Sequence, residues 1–167
     1  ELPELIERRL QQAINEQVFP GCVFGMVSKS GEQWMLPLGH YTYDEDSEGV
    51  TAESIYDVAS VTKSIPTASL ALTLIDGGKL SVDDPLIQFV PEFVNSMRED
   101  VLIKHLLTFT VDFQLRLSAN KNKSPQEILE LIFTSEFGVK PGEKFFYHNS
   151  SSLLLGLVVE RITGKQI

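Results

Sequence analysis

The chain is poor in the residues that build several kinds of site. It has one cysteine, three histidines and one tryptophan, and its 14 lysines and arginines are outnumbered by 23 aspartates and glutamates. Cys22 has no second cysteine to bridge to, so no internal disulfide staples the fold. Nothing beside it in sequence would hold a thiolate, and it reads as a buried strand residue. His40, His105 and His148 are far apart and form no metal-ligand spacing, so no metal is expected. The net charge of −9 excludes a phosphate-backbone partner, which requires clustered Lys and Arg, and an anionic membrane surface. No apolar run approaches the ~18 residues of a membrane-spanning helix. No low-complexity tract or internal repeat is present. What remains is a chain that is 43% apolar, enough for a sizeable core in one domain or in part of a larger one.

Periodicity sketches the organisation. Residues 2–17 carry Leu2, Leu5, Ile6, Leu10, Ala13 and Ile14 at helical spacing. Phe19-Pro20-Gly21 stops that helix, and Cys22 to Ser28 and Gln33 to Leu38 flank the turn signal Ser30-Gly31 as a hairpin. Residues 41–53 are acidic and irregular. Ser60 to Ile75 predicts a buried helix with Leu70, Ala71 and Leu74 on one stripe, stopped by Gly77-Gly78. Pro66 falls in its early turns, which requires a kink or a position close to the helix start. Val101 to Leu107 predicts a short helix, and Ser118 to Ser124 an exposed loop. Ser124-Pro125-Gln126-Glu127 is a capping-box start for a further helix, and Ser150 to Ile162 is a final apolar helix ended by Gly164.

Two short patterns carry chemistry. In Ser60-Val61-Thr62-Lys63 the serine and lysine share one helix face, so the lysine can take the hydroxyl proton while the serine attacks an acyl carbon. The spacing by itself says little, because 15 Ser and 9 Lys give roughly 0.8 chance matches in a chain of this length. Ser118-Ala119-Asn120-Lys121 is indeed a second match. Context separates them. Ser60 stands where an extended stretch meets a helix start, where partial positive charge favours an oxyanion, and apolar Ala59 and Val61 are expected to desolvate Lys63 into a usable base. Ser118 and Lys121 lie in a wet loop. On the residues alone an N-cap role for Ser60 stays open. The second pattern is Tyr147-His148-Asn149, for which about 0.1 chance Tyr-x-Asn matches are expected. In an extended segment Tyr147 and Asn149 point the same way and His148 the other, so His148 reads as structural. A tyrosine near a lysine ammonium suits a general base, and Asn149 suits a substrate amide or carbonyl. A core tyrosine and a helix-capping Asn remain open as well. Asp44, Glu45 and Asp46 read as solvated rather than as a catalytic carboxylate pair.

Taken together these segments resemble the serine beta-lactamase and penicillin-binding-protein superfamily, most closely its class C beta-lactamase-related branch with family VIII esterases and D-aminopeptidases. Five blocks occur in order: Asp57-Val58-Ala59-Ser60-Val61-Thr62-Lys63-Ser64, Gly77-Gly78-Lys79-Leu80-Ser81-Val82-Asp83-Asp84-Pro85, Ile103-Lys104-His105-Leu106-Leu107-Thr108, Pro141-Gly142-Glu143-Lys144-Phe145-Phe146-Tyr147-His148-Asn149, and Leu155-Gly156 through Thr163-Gly164. The resemblance implies an α/β (α+β) fold of the beta-lactamase/transpeptidase type, with helix and hairpin in 1–40 and a mainly helical region in 55–164. It implies that Ser60 is acylated, Lys63 activates it and shuttles protons, Tyr147 serves acylation and deacylation as base or acid, and Asn149 contacts the acyl side of the substrate. The Ser60 backbone N–H would be one oxyanion donor, and no metal or organic cofactor is implied. The expected partner is a small-molecule or short-peptide acyl substrate.

The chain departs from the pattern twice. Phe109-Thr110-Val111-Asp112-Phe113 stands where the family usually has a His-Thr-Ser-Gly-Leu-like run. The family's third motif, a Lys-Thr-Gly or His-x-Gly run on a sheet-edge strand, is not found, since Ile162-Thr163-Gly164 only ends the last helix. One hairpin is a marginal sheet in water. The expectation is an incomplete beta-lactamase-like domain over 1–167, its C-terminal strands carried by another chain, a removed piece or sequence outside this one. Three functions follow from the resemblance: a serine hydrolase on an ester, amide or beta-lactam carbonyl, a D-Ala-type peptidase or transpeptidase, or a non-catalytic homologue that binds a ligand or partner.

Overall fold

The computed structural model describes residues 2–93 and 96–166. It divides into two compact units, Glu1–Asp57 and Val58–Ile167.

In the first unit, α1 spans Leu2–Asn15, shorter than the 2–17 its apolar spacing suggests. The cause is a left-handed Gln17 (φ 57°). The Gln17 N–H then donates to Ile14 O at 3.0 Å and the Val18 N–H to Ala13 O at 2.9 Å, the paired closure that ends many helices. Ile6, Leu10, Ala13 and Ile14 are half-buried, while Leu2 and Leu5 stay exposed. Strands β1 (Gly21–Val27) and β2 (Gln33–Gly39) form an antiparallel hairpin in which Gly21 faces Gly39 and Val27 faces Gln33. Phe24 and Trp34 meet edge to face at 5.6 Å across it. Gly39 needs its glycine, because its φ is 76° and a Cβ there would run into the Pro20 carbonyl. Cys22 is half-buried in β1 rather than fully enclosed, since this two-stranded sheet is narrow. Burial raises its thiol pKa, the opposite of what a reactive thiolate requires.

The second unit holds the core. Helical backbone begins at Val61, widens into a π-helical turn over Lys63–Ala68, and continues as α2 (Ser69–Asp76). The wide turn contains Pro66, so the proline that lacks an N–H is absorbed by a bulge instead of breaking the helix. This helix is not the buried rod its composition suggests. Ala71 and Leu74 are buried, but Leu70, Ile65 and Leu72 are 39%, 66% and 56% exposed, because the described elements pack on one side of it only.

Helix α3 covers Ile103–Leu107, two residues shorter at its start than expected, since Val101 and Leu102 are held as extended backbone. There the Leu86 N–H donates to Val101 O at 2.8 Å, and Pro85 pairs with Leu102. Helix α4 (Pro125–Phe133) starts on the expected capping box: Ser124 Oγ accepts from the Glu127 N–H at 3.3 Å, and the Glu127 carboxylate accepts from the Ser124 N–H at 2.8 Å. The loop before it includes a single 3₁₀ turn over Leu117–Asn120. Helix α5 (Asn149–Thr163) begins one residue earlier than expected and ends at Gly164, whose φ of 69° lets its N–H reach Glu160 O at 2.7 Å. Leu154, Leu155, Val158 and Val159 of α5 bury against Leu106, Phe113, Ile132 and Phe93 in one apolar cluster.

A backbone zipper joins the chain leaving α3 to the loop entering α5. Gln114 N–H donates to Glu136 O, Gly138 N–H to Asp112 O, Gly142 N–H to Thr110 O and Phe146 N–H to Phe109 O, at 3.0, 3.3, 2.8 and 2.7 Å. This zipper, tied into the core through Phe113 and Phe137, is what fixes the approach to residue 147.

Candidate active site

Ser60 follows Ala59, which has a positive φ of 45° although it is not glycine. That elbow turns the chain abruptly, and three tight turns follow: Val61 N–H to Val58 O, Thr62 N–H to Ala59 O and Lys63 N–H to Ser60 O, at 3.0 to 3.1 Å. Lys63 thereby comes round to the face of Ser60, and its Nζ donates to Ser60 Oγ at 2.8 Å. That distance puts the amine within proton-transfer reach of the hydroxyl.

Tyr147 joins this pair from the other end of the unit. Lys63 Nζ lies 5.4 Å from the centre of its ring. Hydrogen bonding with Ser60, then with Lys63, holds the phenol below its ordinary pKa of 10 against an opposing effect of burial, with the Lys63 charge the smallest contribution. Exposure alternates along the entry to α5: Tyr147 and Asn149 are exposed, while His148 is half-buried with its ring edge-on to Phe113 at 6.1 Å. His148 is the residue that precedes the helix, and Asn149 is its first residue, so Asn149 is not the cap. Asn149 and Lys63 line one cavity of about 910 Å³, whose other walls include Pro66, Leu70, Ile128 and Leu157.

Ser60, Lys63, Tyr147 and Asn149 thus converge, although 89 positions separate the first from the last. Ser118 and Lys121 do not join them and lie exposed at the 3₁₀ turn. The desolvation expected from Ala59 and Val61 is not provided by the described residues: Ser60 and Val61 are exposed and Lys63 is half-buried. The sequence does not show the backbone turn at Ala59 or the ring contact of Phe109 in this site. The Ala59 elbow has no compositional signal, since glycine is the usual marker of a positive φ. Phe109 stacks on Tyr147 with ring centres 5.2 Å apart and 25° between planes, and its only signal is the departure from the family run. Among the described residues no group of three or more His, Cys, Asp and Glu side chains could hold a metal ion. No helix there is long and apolar enough to cross a membrane.

Comparison with known proteins finds relatives along most of this chain. The beta-lactamase family model matches residues 6–167. A protein called flp from Staphylococcus aureus is 32% identical over 172 residues, covering 98% of this chain and 33% of that protein. A putative D-alanyl-D-alanine carboxypeptidase from Escherichia coli is 29% identical over 131 residues, covering 70% of this chain and 30% of its own length. Among solved structures, a mutant class C beta-lactamase superposes with a TM-score of 0.84 at 20% identity, covering 98% of this chain and 45% of that one. EstCE1, a hydrolase with promiscuous acyltransferase activity, gives 0.81 at 24% identity, with 99% and 48% covered. These two structures show the mixed helix-and-antiparallel-sheet fold. The chain spans about a third of the length of the curated relatives and just under half of the solved ones.

Proposed function

Because the chain belongs to the beta-lactamase family, we propose that the whole protein is a serine hydrolase that works through an acyl-enzyme on an ester, amide or beta-lactam carbonyl. The observation that carries this reading is the 2.8 Å contact from Lys63 Nζ to Ser60 Oγ, with the Tyr147 phenol drawn to the same pair.

The steps follow from those positions. Ser60 Oγ bonds to the acyl carbon while its proton passes to a neutral Lys63 amine or to the Tyr147 phenolate. The carbonyl electron pair moves onto oxygen, and the Ser60 backbone N–H, at the start of the helical run, donates to that oxyanion. The bond to the leaving group then breaks, and Tyr147 or Lys63 returns the proton to it. Asn149 holds the acyl side in the cavity it shares with Lys63. Water attacks the acyl-enzyme, losing its proton to Tyr147, and the carboxylic acid departs as Ser60 Oγ regains a proton.

A D-Ala-type peptidase is the second reading, supported by the likeness to the Escherichia coli putative carboxypeptidase. One experiment separates the readings. The whole protein is treated with a fluorophosphonate and with a labelled penicillin, and the adduct is located by peptide mass. Adduct on Ser60 with rapid turnover of short aryl esters supports the hydrolase, and slow-releasing penicillin adduct supports the peptidase. No adduct on Ser60 with either reagent overturns both and leaves a binding homologue.

A further inference from the structure

We propose that Phe109 is a positioning residue that holds the Tyr147 ring beside Ser60 and Lys63. The inference rests on the serine-hydrolase reading only for its catalytic consequence; the positioning itself stands on geometry.

Tyr147 is 55% exposed, so no packed core sets its side-chain torsions. Stacked on it at 5.2 Å is half-buried Phe109, which also meets Phe145 at 6.3 Å. Offset aromatic faces attract each other in preferred geometries, so Phe109 restricts where the phenol ring can turn. The main chain makes the same link. Phe109 O accepts the N–H of Phe146, the residue just before Tyr147, at 2.7 Å. The next residue along, Thr110, is bonded on both sides: its N–H donates to His105 O at 2.9 Å and its O accepts from the Gly142 N–H at 2.8 Å. Phe109 is therefore anchored to α3 through its neighbour and to the Tyr147 loop through its own carbonyl.

The backbone adds a second reason. Phe109 has a φ of 54°, a left-handed conformation that a bulky residue adopts at a cost. A glycine would meet the turn without strain but would present no ring. The strained aromatic at this point faces the proposed base and not the apolar cluster that holds the unit together. Strain retained at a position beside reacting groups is a recurrent mark of a site whose geometry matters.

The test uses the whole protein with Phe109→Leu and Phe109→Tyr, and Phe109→Met where the leucine variant fails to fold. Removing the ring slows fluorophosphonate labelling of Ser60 by about two- to tenfold, the range an aromatic pair supports, and the tyrosine variant restores it. The discriminating readout is the Tyr147 titration, taken as the tyrosinate absorbance difference between each variant and its Tyr147→Phe partner. Phe109→Leu moves that titration up towards the ordinary phenol value and Phe109→Tyr brings it back. Unchanged titration and an unchanged labelling rate in a folded Phe109→Leu or Phe109→Met protein overturn the proposal. Where the parent protein takes no adduct on Ser60, the hydrolase reading falls, and the titration alone still decides the role of Phe109.

Discussion

Replacing Tyr147 by phenylalanine removes one oxygen and little else. The ring is 55% exposed and its stacking partner Phe109 meets the same aromatic face in either residue, so the melting curve of the variant stays where it is. What is lost is the phenol that Ser60 and Lys63 hold below its ordinary pKa. A positioned general base or acid is worth about 10²–10⁴ in rate, and the lower end applies here because water screens a phenol this exposed. Phosphonylation of Ser60 by a fluorophosphonate, in which the Ser60 oxygen bonds to phosphorus as fluoride leaves, therefore falls about 10²-fold. The pH profile gives the sharper reading. A lowered phenol pKa means that tyrosinate accumulates below pH 10, so the rate of the parent protein rises along a limb centred below that value. The variant has no such limb. The assay is the pseudo-first-order labelling rate of Ser60 across neutral to alkaline pH, with a thermal melt on both proteins. A variant that is labelled within about threefold of the parent rate and keeps the alkaline limb would refute Tyr147 as proton acceptor and leave Lys63 alone in that role.

Three further outcomes are expected. Ser118→Ala and Lys121→Ala leave the labelling rate of Ser60 unchanged, because both residues lie exposed at the 3₁₀ turn; a drop with either one refutes the choice between the two Ser-x-x-Lys pairs. Burial, and then the Lys104 charge, lowers the His105 pKa below 6.5 despite opposing effects of Asp100 and Asp83, so the folded state binds this proton less readily than the unfolded chain. Stability is thus full above the unfolded value and declines as pH falls below it; urea melts at about pH 7.5 and about pH 5 should show a larger loss in the parent than in His105→Gln, and equal losses refute it. At the Ala59 elbow, Ala59→Gly is neutral to slightly stabilising while Ala59→Val costs at least about 1 kcal/mol, since a β-branched residue resists the left-handed region; a valine variant that melts at or above the parent refutes the strain.

The elements with local causes were legible from sequence. The capping box at Ser124 and Glu127 and the glycine stop at Gly164 each depend on two or three neighbouring residues, and both lie where the pattern puts them. The hairpin was legible because a short apolar, strand-like run on each side meets at the Ser30-Gly31 turn. What escaped depends on contacts between distant segments. Apolar composition over 60–75 suggests full burial, but composition does not say how many sides of a helix other elements cover, and Ile65 and Leu72 are exposed. Gln17 and Ala59 hold positive φ values without the glycine that advertises them. Phe109 is the same problem at the site itself: only the folded zipper from Phe109 to Phe146 brings its ring onto Tyr147. The four candidate residues can be proposed from sequence because the chemistry asked of them restricts their types, while the residues that orient them are not so restricted.

The site separates two requirements that are easily merged. Orientation is well supplied: Lys63 is one helical turn from Ser60 behind a strained elbow, and Tyr147 is suspended on a zipper tied into a core of fully buried Phe93, Phe113, Ile132 and Leu154. Shielding from water is not: Ser60 and Tyr147 are exposed. Orientation governs whether a proton can leave Ser60 as its oxygen attacks, whereas exclusion of water governs how strongly donors stabilise the oxyanion, which weakens steeply in a high dielectric. A fluorophosphonate, which labels Ser60 irreversibly at phosphorus with fluoride as leaving group, depends mainly on the first. Turnover of an ordinary ester or amide depends on both. The geometry of the described residues therefore ties Ser60 labelling more closely to Lys63, Tyr147 and Phe109 than turnover is, and the ratio of the two rates measures how much shielding the whole protein adds around Ser60.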